Sequence, residues 1–196
     1  MFKQYKGVAD IFRVYWVAYG GLGALACSPY LHLAIVLLTL TAQTWIGFGC
    51  VGLECDPWWE QSIIVLPNLL GFTLGGFAIF IGFGDEKFRA ILAEDDEESD
   101  INAYVALCST FVHFILVQAL ALVAAILAKS WWFYTPLVDP IRPALPFLNA
   151  VGGAIGYGLF LYALTSVVAA TMHIFRIAKM YAGFQGRSGG KDADPP

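Results

Sequence analysis

The sequence predicts an all-α, polytopic membrane protein with four transmembrane helices and an N-terminal interfacial helix. Of its 196 residues, 59% are hydrophobic and only 13% are charged, whereas an average soluble domain is about half apolar and about a quarter charged. This excludes a cytosolic globular enzyme, because so few charges cannot cover a soluble surface. The formal net charge of −4 excludes a nucleic-acid-binding module, which would carry a basic surplus.

Four stretches have the length of about 20 mainly apolar residues that a transmembrane helix needs. They are Leu31–Cys50, Ile63–Gly84, Ala103–Ala128 and Leu148–Phe175. No charged residue lies inside any of them, and their continuous apolar character favours helices over the ten-residue alternation of a membrane barrel. The stretches define a membrane domain over residues 31–175, arranged as a four-helix bundle.

The N-terminal segment, residues 1–30, has a different composition. Residues 2–19 mix Lys3, Lys6 and Arg13 with six aromatic side chains, which is typical of helices that lie in the membrane interface. Glycines at 20, 21 and 23 then interrupt the apolar run, and glycine weakens a helix. A re-entrant segment is the alternative interpretation of this region.

The distribution of basic residues predicts the orientation, since cytoplasmic flanks carry an excess of Lys and Arg. With both termini inside, nine of the 11 basic residues are cytoplasmic and only Lys129 and Arg142 lie outside. Tryptophans at 45, 58, 59, 131 and 132 then form an aromatic belt at the outer interface. We therefore expect a bacterial inner (plasma) membrane protein, with residues 176–196 forming a cytoplasmic tail that is basic and then disordered.

Small residues recur at helical spacing in the second and fourth predicted spans. The second span has Asn68, Gly71, Gly75, Ala78 and Gly82, and the fourth has Gly152, Gly156, Ala163 and Ser166. Both series begin with or contain a GxxxG match, a pattern that allows close approach of helices in lipid. Three interpretations stay open: packing within one monomer, contact between identical subunits, or the lining of a permeation path.

Ionisable side chains inside a membrane carry a high free-energy cost and are therefore candidates for functional residues. His113 is predicted near mid-membrane, with Ser109 one turn earlier on the same face, and it is the best candidate for a proton-sensitive or pore-facing residue. His32 and His173 fall near the cytoplasmic boundary, where a haem site is a weaker alternative to ordinary hydrogen-bonded histidines.

Two hydrophilic features lie between the spans. Cys50 and Cys55 flank the first outer loop, where an oxidising compartment would permit a disulfide. The cytoplasmic loop, residues 85–102, is acidic and carries Asp85, Glu94, Asp95, Asp96, Glu97, Glu98 and Asp100. Such a run is either a solvated connector, a site that concentrates cations at a pore mouth, or a docking site for a soluble cytoplasmic protein.

The sequence has no motif that supplies a nucleophile, a metal site or a phosphate loop, so we predict neither an enzyme, nor a metal, nor a cofactor. The expected function is a small, homo-oligomeric, channel-like or membrane-permeability protein. One alternative is a non-conducting sensor or anchor that recruits a soluble effector, as in bacterial defence systems, and a weaker one is a haem-binding redox subunit. The expected partners are the lipid bilayer, further copies of the chain and a soluble protein at the acidic loop.

Overall fold

The architecture is almost entirely helical in the residues that the structure, a computed structural model, describes: 2–46, 50–51, 54–55, 57–82, 103–131 and 143–191. In chain order the elements are α1 Phe2–Tyr19, α2 Gly21–Ala26, α3 Pro29–Leu40, α4 Ala42–Ile46, β1 Cys50–Val51, β2 Glu54–Cys55, α5 Trp58–Gly82, α6 Ala103–Trp131 and α7 Leu145–Lys191. The predicted acidic loop, residues 85–102, lies outside the described residues.

Three helices are long and apolar enough to cross a membrane: α5, α6 and the part of α7 from Leu145 to Phe184. They correspond to the second, third and fourth predicted spans, so the prediction of an integral membrane protein is confirmed for these three. Each is longer than expected. α5 begins at Trp58 rather than at Ile63, because Trp58 and Trp59 are buried against neighbouring helices.

The first predicted span, Leu31–Cys50, is not a single helix. α3 has 12 residues, which at 1.5 Å per residue is about 18 Å and too short to cross alone. It ends at Leu40, and the hydroxyl of the C-cap residue Thr41 donates to the Leu37 carbonyl at 2.7 Å, a local bond that competes with regular helix geometry. The five residues of α4 follow. A fourth uninterrupted span is therefore not confirmed.

The first helix, α1, packs against the bundle, and an interfacial helix lying apart on the membrane surface is not confirmed. Residues 10–18 of α1 and 105–112 of α6 line a common groove. α1 ends at Tyr19, where Gly20 and Gly21 adopt φ angles of +97° and +62°. This left-handed backbone is accessible to glycine at little cost, so the glycine pair turns the chain into α2.

α3 and α4 run antiparallel to the first half of α7. The Thr165 hydroxyl donates to the Tyr30 carbonyl at 3.0 Å, Leu38 lies against Gly158, and the Trp45 backbone lies against Gly153. Together with α5 and α6 these helices bury a continuous apolar core. The order of these contacts along α7 shows that α3 and α4 run in the same direction along α7 despite the interruption at Thr41.

The start of α5 and the end of α6 lie at the same end of the bundle. Lys129 Nζ pairs with Glu60 Oε1 at 2.9 Å, and both side chains are about half exposed, so the pair contributes little stability. Trp58 and Trp59 pack inside here instead of facing lipid, whereas Trp131 is 76% exposed. The exposure of Trp131 is compatible with the predicted aromatic belt, the burial of Trp58 and Trp59 is not, and Trp132 lies outside the described residues.

Candidate functional site

The small residues of α5 form a continuous face on the outside of the chain. All five are exposed: Asn68, Gly71, Gly75, Ala78 and Gly82. A Cβ atom added at Gly71, Gly75 or Gly82 would have no heavy atom within 4 Å. This α5 face therefore packs against nothing in the part of the chain that the structure describes, and Asp85, which would continue it, lies outside that part.

The corresponding stripe on α7 has a different environment. A Cβ atom at Gly156 would overlap the ring of Trp58, and Ala163 and Ser166 are fully buried. Only Gly152, at the start of the stripe, is exposed and has nothing within 4 Å of an added Cβ. The α7 stripe from Gly156 onward thus packs within the chain, whereas the α5 face does not.

His113 lies at the centre of a polar cluster inside the bundle. Its side chain is only 4% exposed. The Nδ1 atom lies 2.7 Å from the Tyr15 hydroxyl, and the Nε2 atom lies 2.9 Å from the Tyr162 hydroxyl. A neutral imidazole has one donor and one acceptor, so one tyrosine donates to the ring and the other accepts from it. Both ring nitrogens are engaged.

The cluster coincides with the interruption between α1 and α3. Tyr19, the last residue of α1, stacks on the His113 ring with 3.9 Å between centroids and 15° between planes. The Tyr162 hydroxyl also interacts with the side chains of Tyr19 and of Ser28, which precedes α3. Side chains from both sides of the helix interruption therefore meet α6 and α7 at one point.

Ser109 does not belong to this cluster, although it is buried. Its hydroxyl donates to the Ala106 carbonyl of its own helix at 2.8 Å. The sequence predicted His113 but not its partners. Tyr15 and Tyr19 are four residues apart, a spacing that places them on one helix face, but nothing in the sequence connects them with a residue almost 100 positions away.

Two apolar grooves reach the cluster from different sides. One of about 350 Å³ lies between α1 and α6 and is lined by Tyr15 together with Asp10. The other, of about 240 Å³, lies between α3 and α7 and is lined by Tyr162 together with Leu38. The ring of the tyrosine that bonds each nitrogen of His113 therefore lines its own groove, whose walls are apolar.

Two other buried polar side chains have an atom without a partner among the described residues. Gln118 on α6 donates to the Thr73 hydroxyl of α5 at 2.9 Å, but its Oε1 atom is unpaired, as is Nδ1 of His173. His32 is exposed. No group of three potential metal ligands occurs in the part of the chain that the structure describes.

Cys50 and Cys55, which were predicted to flank an outer loop, are opposite one another in a short antiparallel pair. The backbone register aligns Cys50 with Cys55 and Val51 with Glu54. Directly opposite residues have Cα atoms about 4.5–5.5 Å apart, within the range of about 4.4–6.8 Å that disulfides require. The register is therefore compatible with the predicted disulfide.

Comparison of the chain with protein-family models, with curated proteins and with solved structures finds no match. The arguments for function therefore rest on the exposed α5 face and the His113 cluster of an integral membrane protein.

Proposed function

We propose that this protein is a homo-oligomeric, channel-like or membrane-permeability protein whose subunits associate through the α5 face. The observation that carries the proposal is the exposure of Asn68, Gly71, Gly75, Ala78 and Gly82 along one side of a membrane-length helix. Within lipid there is no hydrophobic gain from helix association, and close contact through small residues takes its place.

The side chains around this face support a contact with protein rather than with lipid alone. Asn68 donates to the Ile64 carbonyl of its own helix at 3.3 Å, but it remains exposed, and an amide is unfavourable in hydrocarbon. A second copy, or a polar path between copies, would satisfy it. Bulky apolar residues at the margins, Ile64 and Ile79, are more than 60% exposed and would pack beside the close approach.

The α5 face also leads directly into the acidic loop, residues 85–102. Association through α5 would bring several of these loops together at one end of the oligomer. Clustered carboxylates raise the local concentration of cations, and acidic rings are used in this way at the mouths of cation channels. Cations are accordingly the class of solute that we propose for the oligomer.

A fourth crossing completes the proposed topology. Because α1 lies beside the first half of α6 and α3 with α4 lies beside the first half of α7, the two parts together span the bundle as one interrupted segment. Backbone irregularities at membrane depth are tolerated where they are buried in protein. Both termini and the acidic loop would then be cytoplasmic in a bacterial inner membrane.

The experiment compares two glycine variants that share the same substitution. Gly75→Leu places a large side chain in the α5 face, whereas Gly152→Leu places it at an exposed position of α7 that also has free space around it. We expect Gly75→Leu to weaken the oligomer about tenfold or more, equivalent to about 1.4 kcal/mol, and to abolish K⁺ flux from liposomes that contain purified protein. Gly152→Leu should retain both.

The outcomes separate the alternatives. If Gly75→Leu leaves the oligomer unchanged in detergent and in liposomes, the α5 face is not the subunit contact. If wild-type liposomes hold a K⁺ gradient and the acidic loop captures a soluble protein, the non-conducting sensor or anchor is correct. A purified protein with a Soret band would instead favour the haem-binding alternative.

A further inference from the structure

We propose that the groove between α1 and α6 binds an acyl chain of an anionic phospholipid, whose phosphate is held by Lys6 and Arg13. The site belongs to one chain and does not depend on association through the α5 face. It assigns a ligand to the charged residues of α1, which have no part in the proposed cation path.

The first argument is the chemistry of the groove. Its walls are apolar, and its volume is about 350 Å³. Three side chains that line it, Ile11, Val14 and Val105, are between 37% and 71% exposed, so the groove is open along the side of the chain. Water is a poor occupant of such a groove, because it needs polar partners. In an integral membrane protein, a hydrocarbon chain is the occupant that matches apolar walls.

The second argument is the direction of the groove. Tyr19, at the end of α1, stacks on His113, whereas the lining on α6 begins at Val105. α1 and α6 therefore run parallel, and Asp10 lies toward the start of α6. From Asp10 to Ala18 the groove extends about 12 Å along α1, which is most of the roughly 15 Å thickness of one hydrocarbon leaflet. The groove thus leads from one end of α6 toward its middle, as an acyl chain leads away from its headgroup.

The third argument is the charge at the Asp10 end of the groove. Lys6 and Arg13, four residues before Asp10 and three after it, are its neighbours on the helix surface. All three side chains are exposed, and none of them forms an ion pair with another described residue. Two cations and one carboxylate leave a net charge of +1, which complements the single negative charge of a phosphodiester. Phosphatidylglycerol fits in addition, because the hydroxyls of its headgroup can donate to the Asp10 carboxylate.

This arrangement favours an anionic headgroup over a zwitterionic one. Basic residues near the membrane surface attract anionic lipids, and the long side chain of Arg13 can extend its guanidinium toward the interface. Phosphatidylcholine has the same phosphate, but its net charge is zero and its quaternary ammonium donates no hydrogen bond. The site should therefore distinguish two lipids that have identical acyl chains.

The test titrates the purified full-length chain in detergent with phosphatidylglycerol or with phosphatidylcholine of the same acyl chains, and native mass spectrometry counts the lipids that each protomer retains. We expect one phosphatidylglycerol to be retained at concentrations that leave phosphatidylcholine unbound. Lys6→Gln and Arg13→Gln should each weaken binding about fivefold, the effect of one basic residue near a membrane surface. Lys179→Gln is the matched control, because Lys179 is an exposed lysine of α7 that does not line the groove. Glycerol phosphate, which has no acyl chain, should not compete.

A further variant tests the acyl chain separately from the headgroup. Ala18→Phe fills the inner end of the groove and changes no charge. We expect it to weaken binding of phosphatidylglycerol about tenfold, the effect of losing the burial of about two methylene groups. Size-exclusion profiles identify variants that fail to fold, and if Ala18→Phe does so, Val105→Phe at the exposed edge of the groove takes its place.

Five results would overturn the proposal. These are equal retention of the two lipids, unchanged binding in both Lys6→Gln and Arg13→Gln, an equal loss in Lys179→Gln, competition by glycerol phosphate, and unchanged binding in the groove-filling variant. Gly75→Leu should retain the lipid, because the site lies within one chain, and loss of the lipid in this variant would place it between subunits instead. Absence of K⁺ flux would contradict the proposed channel and leave this lipid site unaffected.

Discussion

At the residue scale, the most informative contrast is between glycines of the same helix. Gly156 accommodates the Trp58 ring, whereas Gly152, one turn away, has free space around it. We expect Gly156→Ala to lower the free energy of unfolding by about 1–3 kcal/mol, the usual cost of overpacking. Gly152→Ala should be neutral or slightly stabilising, since alanine is the better helix former. Thermal unfolding of the two variants in detergent measures the difference, and equal midpoints would mean that Trp58 does not fill this space.

The same residues show where the sequence is informative and where it is not. Helical spacing placed each of the α5 and α7 stripes on one face of its helix, but it could not distinguish the exposed stripe from the one that is buried from Gly156 onward. That distinction depends on Trp58, which comes from another helix and lies almost 100 residues before Gly156. His113 was identifiable because an ionisable group in an apolar run is rare, while its tyrosine partners could not be inferred from local sequence.

At the scale of elements, the N-terminal region departs most from expectation. Composition predicted an interfacial helix and one uninterrupted span, yet α1 packs on α6 and the following run is divided into α2, α3 and α4. The glycines at 20 and 21 were visible as interruptions. The side on which α1 would fold was not visible, because it depends on the contact of Tyr15 and Tyr19 with His113.

The turn after α1 gives a prediction at this scale. Gly20 has φ +97°, and a Cβ there would lie 2.9 Å from the Cβ of Ala24. We expect Gly20→Ala to cost about 1–2 kcal/mol, as a left-handed conformation does for an L-residue, and to loosen the end of α1 from His113. Gly23→Ala, in α2 with nothing near its added Cβ, should not destabilise. Hydrogen exchange of α1 tests both, and equal protection in the two variants would contradict the proposed role of the turn.

At the scale of the whole molecule, the composition was sufficient to predict a membrane protein, because a chain with 59% hydrophobic residues cannot cover a water-exposed surface with polar groups. The number of membrane crossings is harder to predict from the sequence, since it depends on whether the short helices α1–α4 together cross the membrane. The three confirmed membrane-length helices, α5, α6 and α7, are an odd number. With these alone, the N-terminus and the acidic loop would lie on opposite sides of the membrane. A fourth crossing by α1–α4 places them on the same side.

Single cysteines in a chain whose four native cysteines are replaced by serine can decide this parity. Gln4→Cys reports the N-terminus, Ser99→Cys the acidic loop, and Ser130→Cys the Lys129 end of α6. With four crossings, a membrane-impermeant maleimide should label only Ser130→Cys in intact cells and all three after permeabilisation. Labelling of Gln4→Cys together with Ser130→Cys in intact cells would show that α1–α4 do not cross. The parity of the crossings therefore determines whether the N-terminus and the acidic loop face the same compartment.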